Sequence, residues 1–198
     1  MCLINFSFHQ HPLYKLIVVA NRDEFYERPT KEAHFWEDEP TILAGRDLQQ
    51  MGTWLGVSKN GRFAAITNYR DPSLPEVRRY SRGEIVRNYL TCNDNPETFI
   101  SNLAENKDDY AGFNVLLGDA TQLMHYNNIF DEKTEILPGT HSLSNHTLNT
   151  PWPKVVKGKM RLHEIVEKKT VEVNELFQLL LDNEQAPDDK LPNTGVGI

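Results

Sequence analysis

Met1-Cys2-Leu3-Ile4-Asn5-Phe6-Ser7-Phe8-His9-Gln10-His11-Pro12-Leu13-Tyr14-Lys15-Leu16-Ile17-Val18-Val19-Ala20-Asn21-Arg22-Asp23-Glu24 is the stretch on which the rest of the chain is read. Residues 2–9 alternate, with Cys2, Ile4, Phe6 and Phe8 on one face and Leu3, Asn5, Ser7 and His9 on the other, the period of a strand. Gln10 to Leu13 supplies a turn. Tyr14 to Ala20 is an apolar run rich in β-branched residues, suited to a strand covered on both faces. A turn centred between His11 and Pro12 pairs Cys2 with Asn21, with a residue or two of slip allowed. The hairpin therefore brings the second residue of the chain to the edge where Asn21-Arg22-Asp23-Glu24 ends the second strand.

Further strands are predicted at Thr41–Ala44, Thr53–Ser58 and Arg62–Asn68, the last two joined by Lys59-Asn60-Gly61, a turn tolerant of positive φ. Ser81 and Glu84 read as a capping box for a helix to about Leu90, and Asn95-Pro96 opens a second helix to about Asn106. Strands follow at 113–118 and 122–126, and another reaches Leu143. Thr150-Pro151 is expected to start a long helix to about Lys169, with a fourth helix from Asn174 to Asp182. Strands and helical pairs are grouped rather than alternating, so the fold class is α+β and not doubly wound. The polar tail from Gln185 to Ile198 reads as a connector.

The chain has 198 residues, 39% hydrophobic and 25% charged, as expected of one domain over 1–198. A net charge of −7 without a Lys/Arg block argues against a nucleic-acid partner. The longest apolar run, Leu16 to Ala20, is too short to span a bilayer. With no secretory signal visible, stable membrane insertion is not expected and a cytoplasmic location is. Two cysteines and scattered histidines make neither a disulfide framework nor a metal site, and no cofactor is implied.

Cys2 is chemically special because trimming of Met1 leaves a thiol and a free α-amine on one residue. The amine can take the thiol proton, so nucleophile and base coincide. The competing reading is a small packed thiol. In the adjoining cluster, a carboxylate could orient the amine and Arg22 could favour thiolate, or the whole run could be a solvated strand end. Cys92 reads as a packed thiol. Trp36, Trp54 and Trp152 line a pocket or pack in the core. Lys154, Lys157, Lys159, Arg161, Lys168 and Lys169 read as a solvated helical face, or as a surface for an acidic partner.

The run Asn21 to Thr30 after a Met-Cys start resembles the NRDE family, of the transport and Golgi organisation protein 2 type. The resemblance continues through Ala44-Gly45-Arg46-Asp47, Gly52 to Val57, Thr67-Asn68-Tyr69-Arg70, Ser81-Arg82-Gly83-Glu84, Gly112-Phe113-Asn114, Ser144-Asn145 and Thr150 to Lys154. It implies a fold similar to the N-terminal-nucleophile (Ntn) hydrolases, a four-layer αββα sandwich of two antiparallel sheets between helical layers. Met51 departs from the pattern, since relatives often carry a second glycine there. Relatives also continue past Leu191 to Gly195 into strands with a Gly-Thr-Arg segment, so this chain is expected to lack its C-terminal strands.

By resemblance to the cysteine-headed penicillin V acylase and bile-salt hydrolase group, Cys2 is the nucleophile and Arg22 with Asp23 or Glu24 stands beside it. Asn68 and Asn145 match oxyanion-hole positions; the ordinary alternative is that both cap turns. Asn21 and Trp54 are candidate substrate contacts. The implied activity is cleavage of a non-peptide C–N bond in a small acylated substrate. The rival is a non-catalytic Ntn-like protein that binds a lipid, acyl-CoA or haem-type ligand in metabolite handling or secretory organisation. A homo-oligomer is compatible with either.

Overall fold

The computed structural model describes residues 2–74, 79–182, 184 and 186–191. The order is β1 (Leu3–Phe8), β2 (Leu16–Asn21), β3 (Thr30–Phe35), β4 (Ile42–Asp47), β5 (Leu55–Ser58) and β6 (Phe63–Asn68). Two helices follow, α1 (Arg82–Thr91) and α2 (Pro96–Glu105). Then come β7 (Phe113–Gly118), β8 (Leu123–Asn127), β9 (Glu132–Glu135) and β10 (Gly139–Leu143), and last α3 (Pro153–Val166) and α4 (Val173–Leu180). The grouped α+β order is therefore as the sequence indicates. Contacts divide the chain into two compact units, residues 1–23 with 137–198, and residues 24–136. Of the tail, 186–191 are described and carry a 3-10 turn at Asp188–Lys190; the rest of that expected connector lies outside the described residues.

The first unit is an antiparallel sheet in the order β10-β1-β2. Its hairpin register is Leu3 opposite Asn21 and Phe8 opposite Leu16, one residue away from a Cys2–Asn21 pairing. The slip has a consequence, because partners across an antiparallel ladder share a face. Asn21 joins the face of Leu3, Asn5, Ile17 and Val19, while Cys2 stays with Ile4 and Phe6. On the Asn21 face, Ile17 and Val19 pack with Leu162, Ile165, Val166 and Leu179 of the two helices. β2 is covered less evenly than its apolar run suggests: Ile17 and Val19 are buried, Leu16, Val18 and Ala20 only half-buried.

α3 lies close to β1 because Gly158 has no side chain. A Cβ there would come within 2.5 Å of the Asn5 amide oxygen, which already accepts a hydrogen bond from Ser142 at 2.8 Å. Both Asn5 and Ser142 are fully buried. Gly158→Ala is thus expected to push α3 off the sheet and to cost about 1–3 kcal/mol, the usual range for overpacking. Urea unfolding measures it, and an unchanged midpoint would mean that the helix seats itself by other contacts.

The second unit holds a seven-stranded antiparallel sheet, β3-β4-β5-β6-β7-β8-β9. α1 and α2 cover one face, where Trp36, Ile66, Ile85, Tyr89, Leu90, Phe113, Val115 and Tyr126 form the core. β3 and β9 are absent from the sequence expectation. They are edge strands, mostly exposed and polar, so no apolar alternation marks them. The Lys59–Gly61 turn has its positive φ at Gly61, +80°. The Ser81–Glu84 capping box is only half made: Ser81 caps the Gly83 N–H at 3.4 Å. The Glu84 carboxylate instead accepts from the Tyr110 hydroxyl at 3.0 Å. Asn95 caps α2 through the Thr98 N–H at 2.8 Å.

Several residues of the motifs quoted above serve this unit's structure. Arg46 is buried, forked onto Asp38 at 2.8 and 2.9 Å, with its guanidinium over the Trp36 ring. Arg28 bonds Asp47, whose other oxygen caps the backbone of Gln49 and Gln50. Met51 has φ +59°, the left-handed region where a glycine is at ease. Across β6, β7 and β8 runs a buried polar row: Asn114 Nδ2 donates to Thr67, and Asn114 Oδ1 accepts from Asn127 at 2.8 Å and from His125 Nε2 at 3.1 Å. Nε2 donates in that contact, and burial pushes the imidazole's pKa down to about 4, which keeps it neutral at pH 7.

Candidate active site around Cys2

Cys2 precedes the first residue of β1 and is half-buried. The register of the hairpin, extended one residue beyond Leu3–Asn21, carries Arg22 across from it. Asp23 closes the arrangement from the same strand end. Its backbone N–H donates to the Cys2 sulfur at 3.4 Å, and the thiol in turn lies 3.9 Å from the Asp23 carbonyl oxygen. The sulfur therefore sits against a peptide N–H, a donor that favours the anionic form of an acceptor.

The Cys2 carbonyl is gripped from two other elements. Ser144, directly after β10, donates its hydroxyl to that oxygen at 2.8 Å. Lys154, in the first turn of α3, donates its ammonium to the same oxygen at 3.4 Å. Asn145 is buried, and its side-chain oxygen lies 3.4 Å from the Ser144 hydroxyl; the shorter contact to Cys2 is the primary one. The loop that carries Ser144 and Asn145 is clamped to β10 by Asn149. Asn149 Oδ1 accepts from the Ser142 N–H at 3.0 Å, and the Asn149 N–H donates to the Ser142 oxygen at 2.9 Å. Asn149 adopts φ +58°, a conformation asparagine tolerates better than most residues.

α3 begins at Pro153, with Trp152 at the N-cap, two residues later than expected. Thr150 does not cap it: its hydroxyl closes a small cluster with Thr147 and His146. That later start turns Lys154 inward. Burial pushes the Lys154 ammonium down to about 8, with Cys2 as the opposing influence. A lysine counted among a solvated face is thus one of the closest polar neighbours of the candidate nucleophile. The signal that would have found it is its place in the Thr150-Pro151-Trp152-Pro153-Lys154 segment, not its charge.

The other candidate residues are placed as follows. Asn21 donates its side-chain N–H to the Leu180 oxygen at 3.0 Å, on the helix-facing side of β2. A cleft of about 470 Å³ opens there, walled by Leu3, Asn21, Trp152, Leu179 and Leu180, with Lys154 at its lining. Glu24 belongs to the second unit, where it accepts from the Phe25 N–H at 3.0 Å and pairs with Arg28 at 3.7 Å. Trp54 and Asn68 also belong to that unit; Trp54 packs against its core, and Asn68 ends β6 opposite Phe113, half-buried. Cys92 caps α1, its thiol donating to the Tyr89 oxygen at 3.5 Å. Among the described residues no group of three His, Cys, Asp or Glu is arranged to hold a metal, and no helix is long and apolar enough to cross a membrane.

A model of the Transport and Golgi organisation 2 family matches residues 1–197. The chain belongs to that family. The Transport and Golgi organization 2 homolog of Mus musculus is 37% identical, the match covering 98% of this chain and 77% of the mouse protein. The Transport and Golgi organization protein 2 of Drosophila melanogaster is 30% identical over 100% of this chain and 80% of its own length. Among solved structures, penicillin V acylase from Agrobacterium tumefaciens superposes with a TM-score of 0.51 at 11% identity, over 96% of this chain and 75% of the acylase. The Caenorhabditis elegans ortholog of N-acylethanolamine-hydrolyzing acid amidase gives 0.51 at 8% identity, over 98% and 95%. At such identities the likeness is one of fold alone: this Transport and Golgi organisation 2 family member shares the fold of those two enzymes, as its motifs lead one to expect.

Proposed function

We propose that this chain is a cysteine amidohydrolase of the Ntn type, cleaving a non-peptide C–N bond in a small acylated substrate. In the proposed reaction, removal of Met1 frees the α-amine of Cys2, and the thiol proton passes to that amine. The sulfur attacks the substrate carbonyl, and the tetrahedral oxyanion collapses as the leaving amine takes the proton. Water then hydrolyses the thioester, releasing the acid and restoring the thiol. Asp23 or Glu24 orients the amine, Arg22 favours thiolate, and Asn145 with Asn68 donates N–H to the oxyanion, the largest electrostatic contribution expected in acyl transfer. Asn21 and Trp54 contact the substrate.

The observation that carries this reading is the seating of Cys2: the Asp23 N–H on its sulfur at 3.4 Å, and Ser144 holding its carbonyl beside Asn145. The roles of Glu24, Asn68 and Trp54 rest on their motifs. The test is release of a chromophoric amine from a series of N-acyl p-nitroanilides of increasing chain length. Release that tracks protein concentration and is blocked by prior alkylation of Cys2 supports the reading; no release from any member with Met1 removed opposes it. The cleft beside Leu3 and Asn21 gives the ligand-binding alternative its footing, since Leu3, Trp152, Leu179 and Leu180 offer it apolar surface. Under that alternative a fatty acid would bind equally well to the Cys2→Ala variant and no p-nitroaniline would appear.

A further inference from the structure

Lys154 is not accounted for by the reaction as written. It reaches Cys2 from a different element than any of the assigned groups, and it is half-buried rather than solvated. Its partner oxygen belongs to the very residue whose sulfur and nitrogen are to exchange a proton. We propose that Lys154 is a positioning residue for Cys2: its ammonium holds the Cys2 carbonyl and, as the nearest lysine cation on α3, favours thiolate at the Cys2 sulfur. The inference rests on the Ntn reading for its purpose, though not for its measurement.

The physical argument has two parts. An ammonium and a hydroxyl on one carbonyl oxygen fix the orientation of the Cys2 peptide, and with it the direction in which the side chain leaves β1. A positive charge within a few ångströms of a thiol stabilises thiolate, commonly by about 1–3 pH units. At the adjoining α-amine the same charge keeps the free base populated before the thiol proton arrives. The fixed orientation and the stabilised thiolate both favour loss of the thiol proton. Partial burial strengthens each of them, because the screening of water is reduced.

Other charged groups around Cys2 come from every element that packs there. β2 ends in Arg22 and Asp23, and the connection from β10 carries His146. Farther along α3, Lys157 is matched by Asp182 at 2.7 Å and by Glu184, and Arg161 by Asp182 at 3.7 Å. Those two cations are paired with carboxylates of the chain's end, and Lys154 is directed at the Cys2 carbonyl. This makes Lys157 a matched reference on the same helix.

The experiment is the rate of Cys2 alkylation by iodoacetamide between pH 5 and 10, followed by peptide mass spectrometry, with Cys92 as internal reference. Lys154→Met is expected to raise the Cys2 midpoint by about one pH unit and to slow alkylation at neutral pH about five- to tenfold. Lys154→Arg keeps a permanent cation and is expected to restore most of the difference. Lys157→Met is expected to leave the midpoint where it was. An unshifted Cys2 midpoint in Lys154→Met, or an equal shift in Lys157→Met, overturns the proposal. The thiol midpoint is read whether or not Met1 has been removed, so failure of the Ntn reading and failure of the Lys154 role are separate results.

Discussion

Replacing Cys2 with alanine is expected to abolish amide turnover, a loss of about 10³-fold or more, with almost no loss of stability. The thiol is half-buried at the start of a strand, outside the ladder, and its sulfur meets the backbone N–H and carbonyl of Asp23. The bond from the Ser144 hydroxyl ends on the Cys2 backbone oxygen and so survives the substitution. Cys92→Ala should behave in the opposite manner. That thiol closes α1 against Arg62 and Tyr89, so stability falls while turnover is kept. Hydrolysis rates and urea midpoints of the two variants, measured together, check the pair of expectations; equal turnover in both would remove Cys2 from the chemistry.

Acidification from pH 7 to 4 is expected to cost about 3 kcal/mol of stability through His125 alone. The imidazole is buried and neutral, its pKa held at about 4 against an ordinary 6.5. The unfolded chain therefore takes up a proton below pH 6.5 that the folded chain refuses until about pH 4. Its contribution is complete above 6.5, fades as pH falls through this window, and is constant below it. In His125→Leu the Asn114 oxygen keeps its bond from Asn127, and the acid limb should flatten by that amount. Carboxylates held low by partners, such as Asp47 and Asp131, affect both proteins equally. Stability curves against pH for the two proteins that run parallel between 4 and 6.5 would contradict the assignment.

The hairpin that places Cys2 was legible because residues 2–8 alternate apolar and polar side chains with the period of a strand, although both faces of β1 are buried. Its register was not, since a turn containing Pro12 leaves a residue of freedom; the slip moved Asn21 from beside Cys2 to the helical face. β3 and β9 were silent for a different reason. An edge strand needs only one hydrogen-bonded neighbour and little apolar surface, so Thr30–Phe35 and Glu132–Glu135 read as polar loops. Glu84 shows how tertiary partners override local rules: Tyr110 takes the carboxylate that the capping box would use. Lys154 was hidden because charge on a helix is ordinarily solvated, and only the Trp152–Pro153 start turns it toward Cys2. Several residues of the family motifs, Arg28, Arg46 and Asp47 among them, hold the second unit together.

The most direct measurement is the intact mass of the purified protein before and after exposure to an acylating ester, with N-terminal peptide mapping. The account predicts a mass short by one methionine residue, then a single acyl group on the Cys2 peptide that disappears in water at the rate of turnover. A protein that keeps Met1, or that takes the acyl group on Cys92 and not on Cys2, would contradict it.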